Sequence, residues 1–216
     1  MRKVIFIIFI CFGFLKTYTQ QDSEAKKILD QASERTKSFN TIQVNFNLTI
    51  NDRKEKTNSS SKGTLKIKGD MYRMDMENTI ILFDGKTMWT ISTDIKEVTI
   101  NEPDMEDDDF LSNPAKILTW YNRDFKYRYV QNTTVKDVAM HEIDLFPVNL
   151  EQPYSRIKVF ISVKDLLLNS VISVGKDGID YTVNLSDYIT NKELDDSIFK
   201  FDPQKYKKFE IVDMRI

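Results

Sequence analysis

The chain has 216 residues, with 31 basic and 33 acidic side chains that leave a formal net charge of −2. That length suits one domain. The near-balance of charge removes any general attraction to nucleic acid or to an anionic membrane surface. One cysteine and one histidine leave little material for thiol, metal or histidine-based chemistry.

The first nineteen residues read as an export signal. Arg2 and Lys3 give a charged start, Val4 to Leu15 is apolar, and Thr17-Tyr18-Thr19 places small residues where a signal peptidase inspects the chain. The apolar run is shorter than the ~20 residues a spanning helix needs. Cys11 lies inside that run, too early and behind bulky Phe9-Ile10, which argues against lipidation. The expected division is therefore a signal peptide over 1–19 and one domain over 20–216. The mature domain would lack cysteine, which suits an oxidising compartment such as a bacterial periplasm.

Residues 22–38 carry the helical period: Ala25, Ile28, Leu29 and Ala32 share one face, with Asp22 or Ser23 as cap. The period then changes to two. Val44, Phe46, Leu48 and Ile50 alternate with polar residues, which predicts a strand with one wet face. "NDRKEKTNSSSKG" reads as a polar loop leading into Leu65 and Ile67. Strands follow around Tyr72, over 79–83, 87–92 and 97–100. A second helix is predicted in "SNPAKILTWY", where Pro114 fits the first helical turn and Ile117, Leu118 and Tyr121 share a side. Strands resume at Phe125-Tyr127-Tyr129, His141-Ile143-Leu145, 157–163, 166–174 and 179–185, and "SIFKFDPQKY" suggests one more.

The expected architecture is mainly β (α+β). About ten or eleven strands form a curled antiparallel sheet or unclosed β-barrel, with the two helices covering its mouth. The stretch "MYRMDM" places Tyr72, Met74 and Met76 on one strand face. Methionine re-packs readily around varied apolar partners, so that face reads either as ordinary core or as the wall of an apolar cavity. Phe46, Leu48, Leu65, Ile67, Ile81, Phe83, Trp89 and Ile91 are its neighbours by strand order. A one-residue slip would exchange the faces of any strand.

In order and local motif the chain resembles the LolA family, periplasmic carriers of outer-membrane lipoproteins. The resemblance rests on "QVNFN" after Phe39, "GTLKIKGDMYRM", "ILFDGKTMW", "NPAKIL" and the closing "FKFDP" with "IVDMR". It implies an unclosed barrel whose cavity takes acyl chains, with Phe46, Leu48, Leu65, Ile67, Tyr72, Met74, Met76, Ile81, Phe83, Trp89 and Ile91 as wall. Ile28, Leu29, Ile117, Leu118 and Tyr121 would belong to the lid. It also implies acylated lipoproteins as cargo, an inner-membrane ABC-type release complex as donor, an outer-membrane acceptor, and a monomer without cofactor or metal. The family's arginine-proline pair, whose arginine tethers the lid, is absent: Lys68 is followed here by Gly69-Asp70.

Other readings compete. The acidic run "EPDMEDDDF" lacks the spacing and turn glycine of a calcium loop. It reads as a solvated loop, or as a docking patch through Asp107, Asp108 and Asp109. His141 beside Glu142 reads as an edge-strand residue, with no G-x-S-x-G elbow to serve. Basic and aromatic residues interleave over 121–129, as a strand with aromatics inside would require. A lipid-sensing envelope regulator on the same barrel is the alternative function, and a small periplasmic hydrolase is a further rival.

Overall fold

The computed structural model describes residues 22–103 and 125–215. The predicted signal peptide, the predicted helix with Ile117, Leu118 and Tyr121, and the run with Asp107, Asp108 and Asp109 all lie outside the described residues.

Helix α1 spans Ser23–Lys37. Among the described residues twelve strands follow, all in one sheet: β1 Thr41–Asp52, β2 Thr57–Lys68, β3 Met71–Met76, β4 Thr79–Phe83, β5 Met88–Ser92, β6 Glu97–Asn101, β7 Phe125–Val135, β8 Val138–Pro147, β9 Tyr154–Ser162, β10 Leu168–Gly175, β11 Ile179–Thr190 and β12 Glu210–Asp213. Their order is β12-β6-β5-β4-β3-β2-β1-β11-β10-β9-β8-β7. Among the described residues the sheet does not close, and β12 and β7 are its two edges. Successive strands joined by short turns run antiparallel, as period-two strands in succession should.

Three details differ from expectation. The serine-rich stretch read as loop is the first half of β2, paired with β1 from Asp52↔Thr57 onward. Both of its faces are wet there, so no alternation marks it as strand. The turn that starts it is local chemistry: the Asp52 carboxylate accepts from the backbone of Lys54 and Glu55 at 2.8 and 3.0 Å, and Lys56 takes a left-handed φ of 55°. In the closing motif, Asp196–Phe199 is a 3-10 turn capped by Asp195 rather than a strand. The last strand comes later, as β12, and pairs parallel to β6.

Register fixes two apolar faces. Val44↔Leu65, Ile67↔Tyr72, Tyr72↔Phe83 and Met74↔Ile81 put those side chains on the face turned toward α1. Ile143, Leu145, Ile157, Val159, Val171 and Leu185 continue the same core across the other half of the sheet. Phe46 belongs there too, and its ring occupies the space above Gly63. A Cβ at Gly63 would lie 2.4 Å from Phe46 Cζ, so only glycine lets the ring lie down.

The reverse face of β4–β6 carries a smaller core of Leu82, Ile91, Val98 and Ile100 beneath Tyr206. Trp89 stacks on Phe201 at 6.2 Å, and Phe201 on Tyr206 at 5.5 Å. The chain end thus crosses behind the sheet. Lys68 ties it there, donating to the Leu194 carbonyl at 2.8 Å and to Asp196 at 2.6 Å. Behind β7–β9, Asp144 has a side chain only 2% exposed and is held by Arg128 at 2.6 Å. Glu142 beside it accepts from Lys158, also at 2.6 Å, which holds its carboxyl below the usual range.

Candidate functional site

The wall residues separate into two layers and a remainder. Tyr72 and Phe83 are the deep layer at 1% and 0% exposure, with their rings 5.2 Å apart. Phe46, Leu65 and Ile67 are buried with them. The Tyr72 hydroxyl donates to Met88 Sδ at 3.4 Å, and burial pushes its pKa up to about 12. These five side chains are core in the ordinary sense.

Leu48, Met74, Met76 and Ile81 form the second layer. They face α1's side of the sheet, pack against the buried cluster and remain half-buried. Met88 joins them, although the sequence reading favours its neighbour Trp89. The D-G-K-T turn is the reason. Asp84 Oδ1 accepts from the backbone of Lys86 at 3.0 Å and Thr87 at 2.8 Å. That closes the β4–β5 hairpin in the register Phe83↔Met88 and Leu82↔Trp89.

Trp89 and Ile91 therefore point to the reverse face, into the core under the chain end. Their placement in the wall is corrected: the slip of one residue that an alternating strand permits decided it. Sequence pattern also missed Phe39, Tyr127, Tyr129, Val183 and Tyr188, which pack half-buried on the same apolar face. The aromatics of β7 alternate clearly enough to have been included.

Above this face lies α1, with Ala25, Ile28, Leu29 and Ala32 turned down into the core. Ile28 and Leu29, the two residues of this helix expected in a lid, are thus packed against the sheet. At its C-terminal end only 38–40 separate the helix from β1, and the Arg35 guanidinium lies 4.7 Å over the Phe39 ring. At its N-terminal end Asp22 caps the helix and also accepts from the Tyr129 backbone of β7 at 2.8 Å. The helix N–H groups and that bond hold the Asp22 carboxyl below its ordinary value. So α1 runs across the sheet from β1 to the edge strand β7. It does not bridge the other half, where Met74, Met76, Ile81 and Met88 sit.

Lys68, which stands just before Gly69-Asp70, faces away from α1 and holds the chain end. His141 packs its ring 5.9 Å from Tyr129, with Nδ1 3.4 Å from the tyrosine hydroxyl. Desolvation lowers its pKa. An open groove of about 1070 Å³ is lined by Asn45, Asn47, Lys62 and Asn184 together with Phe46 and Leu185 of the core. Its lining is mixed polar and apolar and contains no methionine. Among the described residues, no helix is long and apolar enough to cross a membrane.

The chain matches the family described as outer membrane lipoprotein carrier protein LolA over residues 37–202. An outer-membrane lipoprotein carrier protein of Pasteurella multocida (strain Pm70) is 31% identical over 186 residues, covering 82% of this chain and 84% of that one. A protein of the same name from Histophilus somni (strain 2336) is 25% identical over 188 residues, covering 84% and 86%. Among solved structures, an uncharacterized conserved protein of Thermus thermophilus shares the fold with a TM-score of 0.60 at 11% identity. It covers 88% of this chain and 99% of that chain. With the family match spanning more than half its length and a relative above 30% identity, this chain belongs to the LolA family of outer membrane lipoprotein carrier proteins.

Proposed function

We propose that this protein is a periplasmic carrier. It binds the acyl chains of lipoproteins on its methionine-rich face, receives them from an inner-membrane ABC-type release complex, and passes them to the outer membrane. The observation that carries the reading is the half-buried layer of Leu48, Met74, Met76, Ile81 and Met88 over a fully buried floor. A face packed solid would offer an acyl chain nothing. A face wide open to water would be an aggregation hazard. Unbranched thioethers can shift to admit a chain and close again when it leaves.

Magnitude supports a carrier rather than a trap. Each methylene removed from water contributes roughly 0.8 kcal/mol, so a full acyl chain gains on the order of 10 kcal/mol. Spreading the side chains and displacing α1 must offset part of that gain, which keeps release feasible. No covalent step is needed. Export by the predicted signal over residues 1–19 would bring the protein to where the cargo travels, and the acidic run at Asp107, Asp108 and Asp109 is the candidate surface for a basic partner.

The test uses purified protein and inner-membrane vesicles carrying an acylated lipoprotein. The carrier reading expects soluble complex containing one lipoprotein per chain, which then yields its cargo to outer-membrane vesicles. Cargo that stays in the vesicles, or is taken up and never surrendered, rejects it.

A further inference from the structure

Asp22 uses its two carboxylate oxygens for two different tasks. Oδ1 accepts from the backbone of Glu24 at 3.0 Å and Ala25 at 3.1 Å, satisfying donors that the first turn of any helix leaves free. Oδ2 accepts from the Tyr129 backbone at 2.8 Å. Among the described residues β7 is the last strand of the sheet, with no strand on its outer edge, which leaves that N–H for Asp22. Beside it the β7–β8 ladder shifts register between Tyr129 and Gln131. The bond is charge-assisted, and it joins the start of α1 to a strand more than a hundred residues away.

The two ends of α1 are held very differently. The C-terminal end is continuous with β1 through Ser38, Phe39 and Asn40, where the Asn40 backbone donates to Asn191 at 2.8 Å. Among the described residues, the N-terminal end is tied to the sheet edge by one carboxylate oxygen, beside the apolar packing of Ala25, Ile28 and Leu29. A helix of 15 residues is a lever of about 22 Å. A pivot of about 20° at residues 38–40 would lift its free end by roughly 8 Å.

We infer that Asp22 is the latch of α1's half of the apolar face: its bond to Tyr129 holds α1 down over the sheet between β1 and β7, where Tyr127, Tyr129 and Val183 continue the face, and its release lets the helix swing on residues 38–40 so that an acyl chain seated on the methionine layer extends beneath it. This rests on the carrier reading; Lys68, bonded to the chain end, does not hold α1. Asp22 is a positioning residue. It touches the helix and the sheet edge, and acts on the cargo through α1.

Asp22→Ser separates the two tasks, since one hydroxyl oxygen keeps the helix cap but cannot also reach Tyr129. The full mature chain is compared with this variant and with Asp22→Ala in three measurements: helix content by circular dichroism, exchange of the Tyr129 amide proton, and stopped-flow binding of a fluorescent palmitate analogue. In Asp22→Ser, helix content should be kept, while the Tyr129 amide exchanges about tenfold faster or more. The association and dissociation rates of the probe should rise together by a similar factor. A merely structural cap would not move those rates. Asp22→Ala should show the same kinetics with added fraying of the first turn. Unchanged Tyr129 exchange in Asp22→Ser means the latch does not exist, and faster exchange with unchanged probe rates means α1 is not the gate. If the unaltered protein ignores the probe, the carrier reading fails, and the exchange measurement still decides whether the bond holds the helix.

Discussion

Met74→Gln exchanges a thioether for an amide of nearly the same length and separates cargo binding from folding. Met74 lies between Leu65 and Ile81 on the face turned toward α1 and is half-buried, so the amide can still reach water. The expected loss of stability is about 1 kcal/mol or less, a fall in Tm of roughly 2–4 °C for a chain of this size. Under an acyl chain the same amide is sealed from water with no partner. Burying it unpaired costs about 1–3 kcal/mol, which at ~1.4 kcal/mol per tenfold weakens acyl binding by roughly 5- to 150-fold. Displacement of a fluorescent fatty acid gives the affinity, and a melting curve gives the stability. A variant that melts normally and binds as tightly as the unaltered protein would refute the placement of Met74 in the contact layer. A large fall in Tm would instead make Met74 ordinary core.

Phe83→Ala removes a ring with 0% exposure from the deep layer and should cost about 3–5 kcal/mol, read as a Tm lower by roughly 10 °C or more. Trp89→Ala removes the stack on Phe201 and should lower stability and loosen the chain end, with fatty-acid affinity unchanged in the molecules that remain folded; weaker binding would return Trp89 to the wall. Asp22 and Glu142 both have carboxyls held below their ordinary values of 3.8 and 4.5, by helix N–H groups and by Lys158 respectively. Lowered folded values mean that their stabilisation is complete above those ordinary values and is lost as pH falls through the lower folded ones. A melting series should therefore be level near pH 6 and decline progressively below about pH 4.5, whereas rising stability on acidification would contradict both assignments.

Much of the fold was legible because strong periodicity carries it. The 3.6 period of Ala25, Ile28, Leu29 and Ala32 and the cap at Asp22 marked α1 almost to the residue. Period two marked most of the strands. Where both faces are wet, as in Asn58 to Ser61, period two leaves no trace, and β2 lost its first half. At the chain end Phe199 and Phe201 alternate like a strand, yet Phe199 belongs to a 3-10 turn and Phe201 is stacked against Trp89 behind the sheet.

The site was legible to the extent that register was. Tyr72, Met74 and Met76 fell on one face by simple alternation, and Phe83 and Ile81 followed across the hairpin. Trp89 and Ile91 did not, because the Asp84 turn sets the phase of β5, and hydrophobicity alone cannot choose between Met88 and Trp89 on adjacent positions. The bond from Tyr129 to Asp22 joins residues 107 positions apart. Nothing in local pattern announces it, since an aspartate before a helix is fully explained as a cap.

The central claim is that the methionine face takes up an acyl chain. Methyl NMR of the protein with its methionine methyls labelled, titrated with palmitate, tests it most directly. The methyls of Met74, Met76 and Met88 are predicted to shift together and show contacts to the chain, with the Trp89 indole unmoved. Silent methionine methyls, or a response centred on Trp89 and the reverse face, would contradict it.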